Sequence, residues 1–320
     1  MSKSAKRSSE EIGAACEKRS TMDSLQNGVC RSSHKRKRRP SVPGLLVPLF
    51  TFVLLAPASI VSDYAAQTQE GVISTREEIA RDLSLAPCKD GERLNAAKAL
   101  FLKMGGREDE LNVEKLNGVE NLILRKKGTS TGTIVVGAHY DKVPDGCGAI
   151  DNWTGIVALA HIFRGLKDYP IEKSLVFVAF GKEENGLLGS RAMVKAIKKD
   201  EVDGYCAMVN IDSLGMGGLG VIENVSSELL IKRAVDLAKR MKLPLGRATL
   251  NNADADSSSF VSKKIPAVTI TGISNGWERV LHSAADQVKR VDVPSAYAGY
   301  RFALALVAEL QELPCNAGRK

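Results

Sequence analysis

The sequence predicts an α/β protein, a three-layer α/β/α sandwich around a central mixed, largely parallel sheet, in a single domain. Three observations predict it. Segments with strand spacing and helix spacing alternate from about residue 76 to residue 313. The strand segments are nearly continuous in apolar residues, as strands covered on both faces are. Several of them end abruptly in histidine or carboxylates, and open sheets of this class bind ligands beyond the carboxyl ends of their strands.

EEIARDL and LNAAKALFLKMG have helical spacing, and Gly105-Gly106 stops the second. NLILRKK and GTIVVGAH read as strands separated by a GTSTG turn. TGIVALAHIFRGL reads as a helix, KSLVFVAF as a buried strand, LLGSRAMVKAIKK as a helix and YCAMVNID as a strand. SSELLIKRAVDLAKRMK is amphipathic and helical, IPAVTITG is a late strand, and a last helix runs from about Ser295 to Leu313. No internal repeat is visible.

The composition, 44% hydrophobic and 26% charged, is that of a globular protein. The net charge of +8 is misleading, because residues 1–42 hold eleven Lys and Arg against four Asp and Glu. The remainder is near neutral, so charge gives no argument for nucleic acid as a partner. Residues 1–43 are basic, Ser-rich and expected to be disordered. Behind the cluster HKRKRR lie 23 uncharged residues, Pro40 to Ser62. The stretch 44–62 reads as a cleaved signal peptide, with an A-x-A site at Ala56-Pro57-Ala58 or a later site near Ala66. An uncleaved signal anchor, tethering the protein to a membrane, is the second reading, since about 20 apolar residues span a bilayer. Both export the C-terminal bulk. Residues 63–75 read as a linker, 76–313 as the folded domain and 314–320 as a tail. Export permits disulfides among Cys88, Cys147, Cys206 and Cys315, and the three full pairings stay open.

The polar surprises fall at strand ends. GTIVVGAH ends in His139, KSLVFVAFG in Lys182-Glu183-Glu184 and CAMVNID in Asp212. His282 follows a Gly-containing loop after IPAVTITG, and Asp151 stands at a helix start. Imidazole and carboxylate suit zinc. Two zinc ions sharing one carboxylate need about five protein ligands when water fills the other positions, and five are present. HxD or Glu-Glu alone is common by chance; five such residues at strand ends are not.

These motifs resemble the di-zinc exopeptidase family of the bacterial leucyl aminopeptidase type, which also contains the glutaminyl cyclases. The resemblance covers about 90–313 and rests on AHYD, GAIDNWTG, GKEENGLLGS, VNIDSLG, LHSAADQ and the pocket segment DADSSSFVSKKIPAV. It implies that Asp151 bridges two Zn²⁺ ions, that His139 and Asp212 complete one site, and that Glu184 and His282 complete the other. It implies Glu183 as general base, deprotonating a metal-bridging water. Asp141 is expected to accept a hydrogen bond from the His139 ring, and Asp286 to act similarly near His282. A cis peptide after Asp151 also follows. The substrates implied are peptides, hydrolysed from the amino end, with Asp256, Phe260, Ile273 and Trp277 as candidate pocket residues.

The match departs at two places. Several family members carry tyrosine where Leu281 stands, so an oxyanion donor is missing from that position. Ser257 follows Asp256 where the family often has histidine. A glutaminyl cyclase with one zinc is the rival reading, and a non-catalytic ectodomain a further one. The Asp151-Asn152 pair followed by Gly155 is similar to the peptidase form, and all five ligands and Glu183 are retained.

Overall fold

A computed structural model describes residues 73–251 and 254–316. The basic region, the apolar segment 44–62 and the linker up to residue 72 lie outside the described residues. No helix among the described residues is long and apolar enough to cross a membrane.

Two helices open the fold, α1 (Arg76–Leu83) and α2 (Asp90–Lys103). Thr75 caps α1 reciprocally: its hydroxyl accepts from the Glu78 amide, and the Glu78 carboxylate accepts from the Thr75 amide. Ser74 is buried, its hydroxyl against the ring of His161 at 2.7 Å. The residues read as the linker's end therefore belong to the folded body. Strands β1 (Leu111–Leu116) and β2 (Val119–Lys126) form a hairpin across Asn117-Gly118, both at positive φ.

Next come β3 (Thr133–His139), α3 (Thr154–Leu166), β4 (Ser174–Phe180), α4 (Leu188–Ala196), β5 (Tyr205–Asp212) and β6 (Gly220–Ile222). They are followed by α5 (Glu228–Met241), β7 (Gly246–Ala248), α6 (Asp256–Ser262), β8 (Ala267–Thr271) and α7 (Val293–Glu312). Beyond α7, Cys315 is disulfide-bonded to Cys206, so the expected tail is anchored at its start. Cys88 pairs with Cys147.

The sheet order is β1-β2-β4-β3-β5-β8-β6-β7. The four central strands, β4, β3, β5 and β8, are mutually parallel, while β2 and β6 join them antiparallel. β4 lies between β2 and β3, so the GTSTG segment does not close a hairpin. The sheet is thus mixed with a parallel centre, as the sequence predicts. Alternation along β4 shows why helices cover both faces. Leu175, Phe177 and Ala179 enter the core shared with α1, α2, α3, α5 and α7. Val176, Val178 and Phe180 enter the core with Met193 and Val194 of α4 and Phe260 of α6.

Parallel central strands place their carboxyl ends at one edge. His139 is in register with Phe180, and Asp212 with Thr271. Helix α3 approaches that edge closely because residue 155 is glycine: a Cβ there would lie 2.5 Å from the Ile211 carbonyl oxygen. Gly155→Ala is expected to lower the free energy of unfolding by about 1–3 kcal/mol, read from the midpoint of urea denaturation.

Candidate metal centre

Sharp turns of the chain deliver several of the candidate side chains. Lys182, Ser213 and His282 all have φ between 56° and 60°, a left-handed conformation uncommon outside glycine. Lys182 immediately precedes the Glu183-Glu184 pair and Ser213 immediately follows Asp212. The Asp151–Asn152 peptide bond is cis.

The structure brings all five expected ligands together. The Nε2 atom of His139 lies 3.1 Å from Oδ1 of Asp151 and 3.6 Å from Oδ1 of Asp212. The Nε2 atom of His282 lies 3.1 Å from Oδ2 of Asp151 and 3.0 Å from Oε2 of Glu184. One ligand atom from each of His139, Asp151 and Asp212 falls within 4.8 Å of the others, and the same holds for Asp151, Glu184 and His282. Asp151 is common to both triads and meets a different imidazole with each oxygen. His139, Glu183 and Glu184 form a third such group.

The donor set fits a divalent cation such as zinc: two imidazoles and three carboxylates, with nearly all of them screened from water. Oε1 of Glu184 is buried with no hydrogen-bond partner among the described residues, an acceptor that a cation would satisfy. The titration pattern agrees. Against the opposing effect of burial, Glu183 and the carboxylates of Asp141, Asp151 and Asp212 hold the His139 imidazole well above its usual range. Asp151 and Glu184 push His282 up to about 10. Both imidazoles in turn hold the Asp151 carboxyl below the carboxylate range despite its burial. Protons on the two histidines therefore occupy the places a cation would take.

Asp151 is fixed from three sides. The carboxylate of Asp286 accepts from the amides of Ile150 (2.8 Å) and Asp151 (3.0 Å). The side chain of Asn152 donates to the Ile211 carbonyl and accepts from the amides of Gly155 and Ser213. This ties the Asp151 turn to the end of β5, where Asp212 sits. Arg93, fully buried, donates to the carbonyls of Pro87, Cys147 and Gly148, and also to that of Tyr140. Burial pulls its guanidinium down to about 10, still charged at neutral pH. The Cys88–Cys147 disulfide fastens the same loop. Arg93 is a structural element of the site that sequence reading missed. A lone arginine in a helix pattern carries no signal of burial.

One expected role is extended and another changes. Asp141 meets the His139 ring through its backbone carbonyl, 3.2 Å from Nδ1, while its carboxylate stands 3.7 Å away. That carboxylate instead accepts from the amides of Glu183 (3.0 Å) and Glu184 (3.2 Å) and so aims the glutamate pair. Asp286 holds the Asp151 backbone rather than His282. Both carboxylates grip backbone amides because a turn at a strand end leaves its N–H groups without ladder partners.

A cavity of about 380 Å³ opens over the cluster. Ile273 and Trp277 line it as expected, joined by Ile222, Leu250 and Leu281. Asp256 and Phe260 do not line it. Phe260 is buried in the core beneath the sheet, against Phe180. Asp256 is fully buried behind Glu183, and burial together with Asp141 and Asp212 pushes its carboxyl up to about 7. The segment 256–262 is helical, which turns these two side chains inward and leaves Asp254 on the cavity wall. The Glu183 carboxylate also lines the cavity and forms no hydrogen bond or ion pair among the described residues. Its burial and the carboxylates of Asp256, Asp212 and Asp151 hold it well above its usual pKa, opposed by His139.

The model for peptidase family M28 matches residues 121–307. The chain is 34% identical over 130 residues to aminopeptidase YwaD of Bacillus subtilis, a match covering 40% of this chain and 27% of that protein. The chain thus spans well under two thirds of that relative. Its fold is similar to that of a zinc aminopeptidase from Bacillus subtilis, with a TM-score of 0.55 and 24% identity over 62% of this chain and 52% of the other. It is also similar to an Acidobacteriales bacterium glutaminyl cyclase, with a TM-score of 0.63 and 17% identity over 74% of this chain and 94% of the other.

Two outcomes are expected in zinc titrations. Asp286→Ala, which releases the Ile150 and Asp151 amides, is expected to weaken zinc affinity roughly 10–100-fold, measured by competition with a chromophoric chelator. Because the metal-free histidines are held protonated, zinc must displace protons. Apparent affinity should therefore rise with pH from 6 to 8, with proton release visible by calorimetry in buffers of different ionisation enthalpy.

Proposed function

The chain belongs to peptidase family M28, and on that premise we propose that it is a zinc-dependent aminopeptidase that releases N-terminal residues from peptides. The observation that carries this reading is the sharing of Asp151: its two oxygens each lie 3.1 Å from a different histidine, one in each triad. His139 and Asp212 would hold one zinc ion, Glu184 and His282 the other, and Asp151 both. A zinc aminopeptidase among the structures of similar fold supports the choice of ion. When bound, a zinc pair supplies Lewis acidity toward a carbonyl and lowers the pKa of water.

The chain's own residues do the rest. Glu183, without a partner in the cavity, takes the proton of the attacking water and returns it to the leaving amine. Asp141 keeps Glu183 aimed by holding its backbone amide. Ile222, Leu250, Ile273, Trp277 and Leu281 offer an apolar wall to the first side chain of the substrate. Leu281 carries no hydrogen-bond donor, so the position leaves the oxyanion to other groups. The cavity of about 380 Å³ is of a size that holds a small ligand or a short peptide segment.

Export is part of the same proposal. The apolar segment 44–62 supports it, and so does the pairing of all four cysteines among the described residues into two disulfides, a state kept in oxidising compartments.

The test uses protein reconstituted with zinc and assayed on leucyl anilide and on a glutaminyl peptide. Release of leucine is expected, with Glu183→Gln lowering kcat about 10²–10⁴-fold while zinc content is unchanged. Pyroglutamate formation with one zinc per chain would instead identify a cyclase. Full zinc loading with no turnover of either substrate would overturn both.

A further inference from the structure

The cavity over the metal centre is walled by carboxylates and apolar side chains, and among the described residues Arg191 is its single Lys or Arg. Arg191 and Asp254 also line a second recess of about 340 Å³, so the two spaces share a wall. Lys195 and Lys263 line this recess as well, beside the hydroxyls of Ser258 and Ser262. Three cations therefore face one carboxylate.

Local helix energetics do not favour this arrangement. Arg191 and Lys195 are spaced i,i+4 on α4, where like charges repel by a few tenths of a kcal/mol. Arg191 sits in the amino-terminal half of that nine-residue helix, toward the end where the helix dipole disfavours a cation. Several arginines have carboxylate partners, among them Arg164 with Glu78, Arg240 with Glu309 and Arg247 with Glu223. Arg191, Lys195 and Lys263 form no ion pair among the described residues. A planar guanidinium left without a partner at the rim of a substrate cavity matches a carboxylate in bidentate fashion.

We infer that Arg191, supported by Lys195 and Lys263, binds a carboxylate on the leaving portion of the substrate. Two sources share that chemistry: the free C-terminus of a di- or tripeptide, and an acidic side chain following the scissile bond. A tripeptide extends about 10 Å, and the recess adjoins the cavity along the shared wall of Arg191 and Asp254. The inference rests on the aminopeptidase reading for the direction of the substrate, while the carboxylate site itself does not depend on turnover.

The test therefore reads binding and hydrolysis separately. Zinc-reconstituted protein is assayed with Leu-Gly-Gly against its C-terminal amide, and with Leu-Glu-amide against Leu-Gln-amide. The same pairs are titrated calorimetrically into the Glu183→Gln protein. At least one acidic peptide is expected to exceed its neutral counterpart about tenfold, through KM rather than kcat. The first pair identifies a C-terminal carboxylate and the second an acidic side chain. Arg191→Gln should bring the ratio to about one, and Arg191→Lys should restore part of it. Equal binding of acid and neutral forms, or a preference that survives Arg191→Gln, overturns the inference whatever the hydrolysis assay shows. An Arg191-dependent preference in binding without hydrolysis of any peptide upholds the carboxylate site and overturns the aminopeptidase reading alone.

Discussion

The site depends on one carboxylate that faces two ways. Asp151 meets His139 with one oxygen and His282 with the other, so the ends of the β3 and β8 connections converge on a single side chain. Holding it there costs desolvation, and the structure offsets this with charge and hydrogen bonds rather than with apolar packing. Asp286 grips its backbone, Asn152 links it to β5, and Arg93 and the Cys88–Cys147 bridge secure the loop that leads to it. These contacts come from segments 135 residues apart in sequence at the widest, the Asp151–Asp286 pair. The sheet makes this convergence achievable, because four parallel strands finish at one edge.

The same logic explains the pairing of Glu183 with Glu184. Both amides hang on the Asp141 carboxylate, and the two side chains then diverge in use. Glu184 closes against His282, while Glu183 is left facing the cavity without a partner. Adjacent residues thereby supply a ligand candidate and a free carboxylate in the cavity from one short turn. In the metal-free site, a carboxylate next to anionic neighbours and screened from water resists ionisation.

Much of this was legible in the sequence because the chemistry sits directly behind apolar runs. His139 and Asp212 end strands with almost no polar residue before them, and Glu183-Glu184 follow KSLVFVAFG. The elements missed are short or amphipathic. LNVEKL alternates without a strong apolar face, and only the Asn117-Gly118 turn signalled its hairpin. β6 and β7 have three residues each, too few for a period to show. The pocket was half legible. Ile273 and Trp277 follow a strand and face the cavity, whereas the helical turn of 256–262 sends Asp256 and Phe260 inward. Asp141 does meet the His139 ring as expected, but its grip on the Glu183 and Glu184 amides, and that of Asp286 on the Ile150 and Asp151 amides, were not legible, because amides leave no mark in a sequence. The disulfide partners depend on which loops meet, which spacing alone does not fix.

The central claim is that Asp151 bridges two metal ions. Crystals of the zinc-reconstituted protein, with anomalous differences recorded on both sides of the zinc absorption edge, test it most directly. The account predicts two zinc peaks about 3.5–4 Å apart, one against His139 and Asp212, the other against Glu184 and His282, with Asp151 between them. A single peak under full zinc occupancy, or two peaks that do not share Asp151, would contradict it.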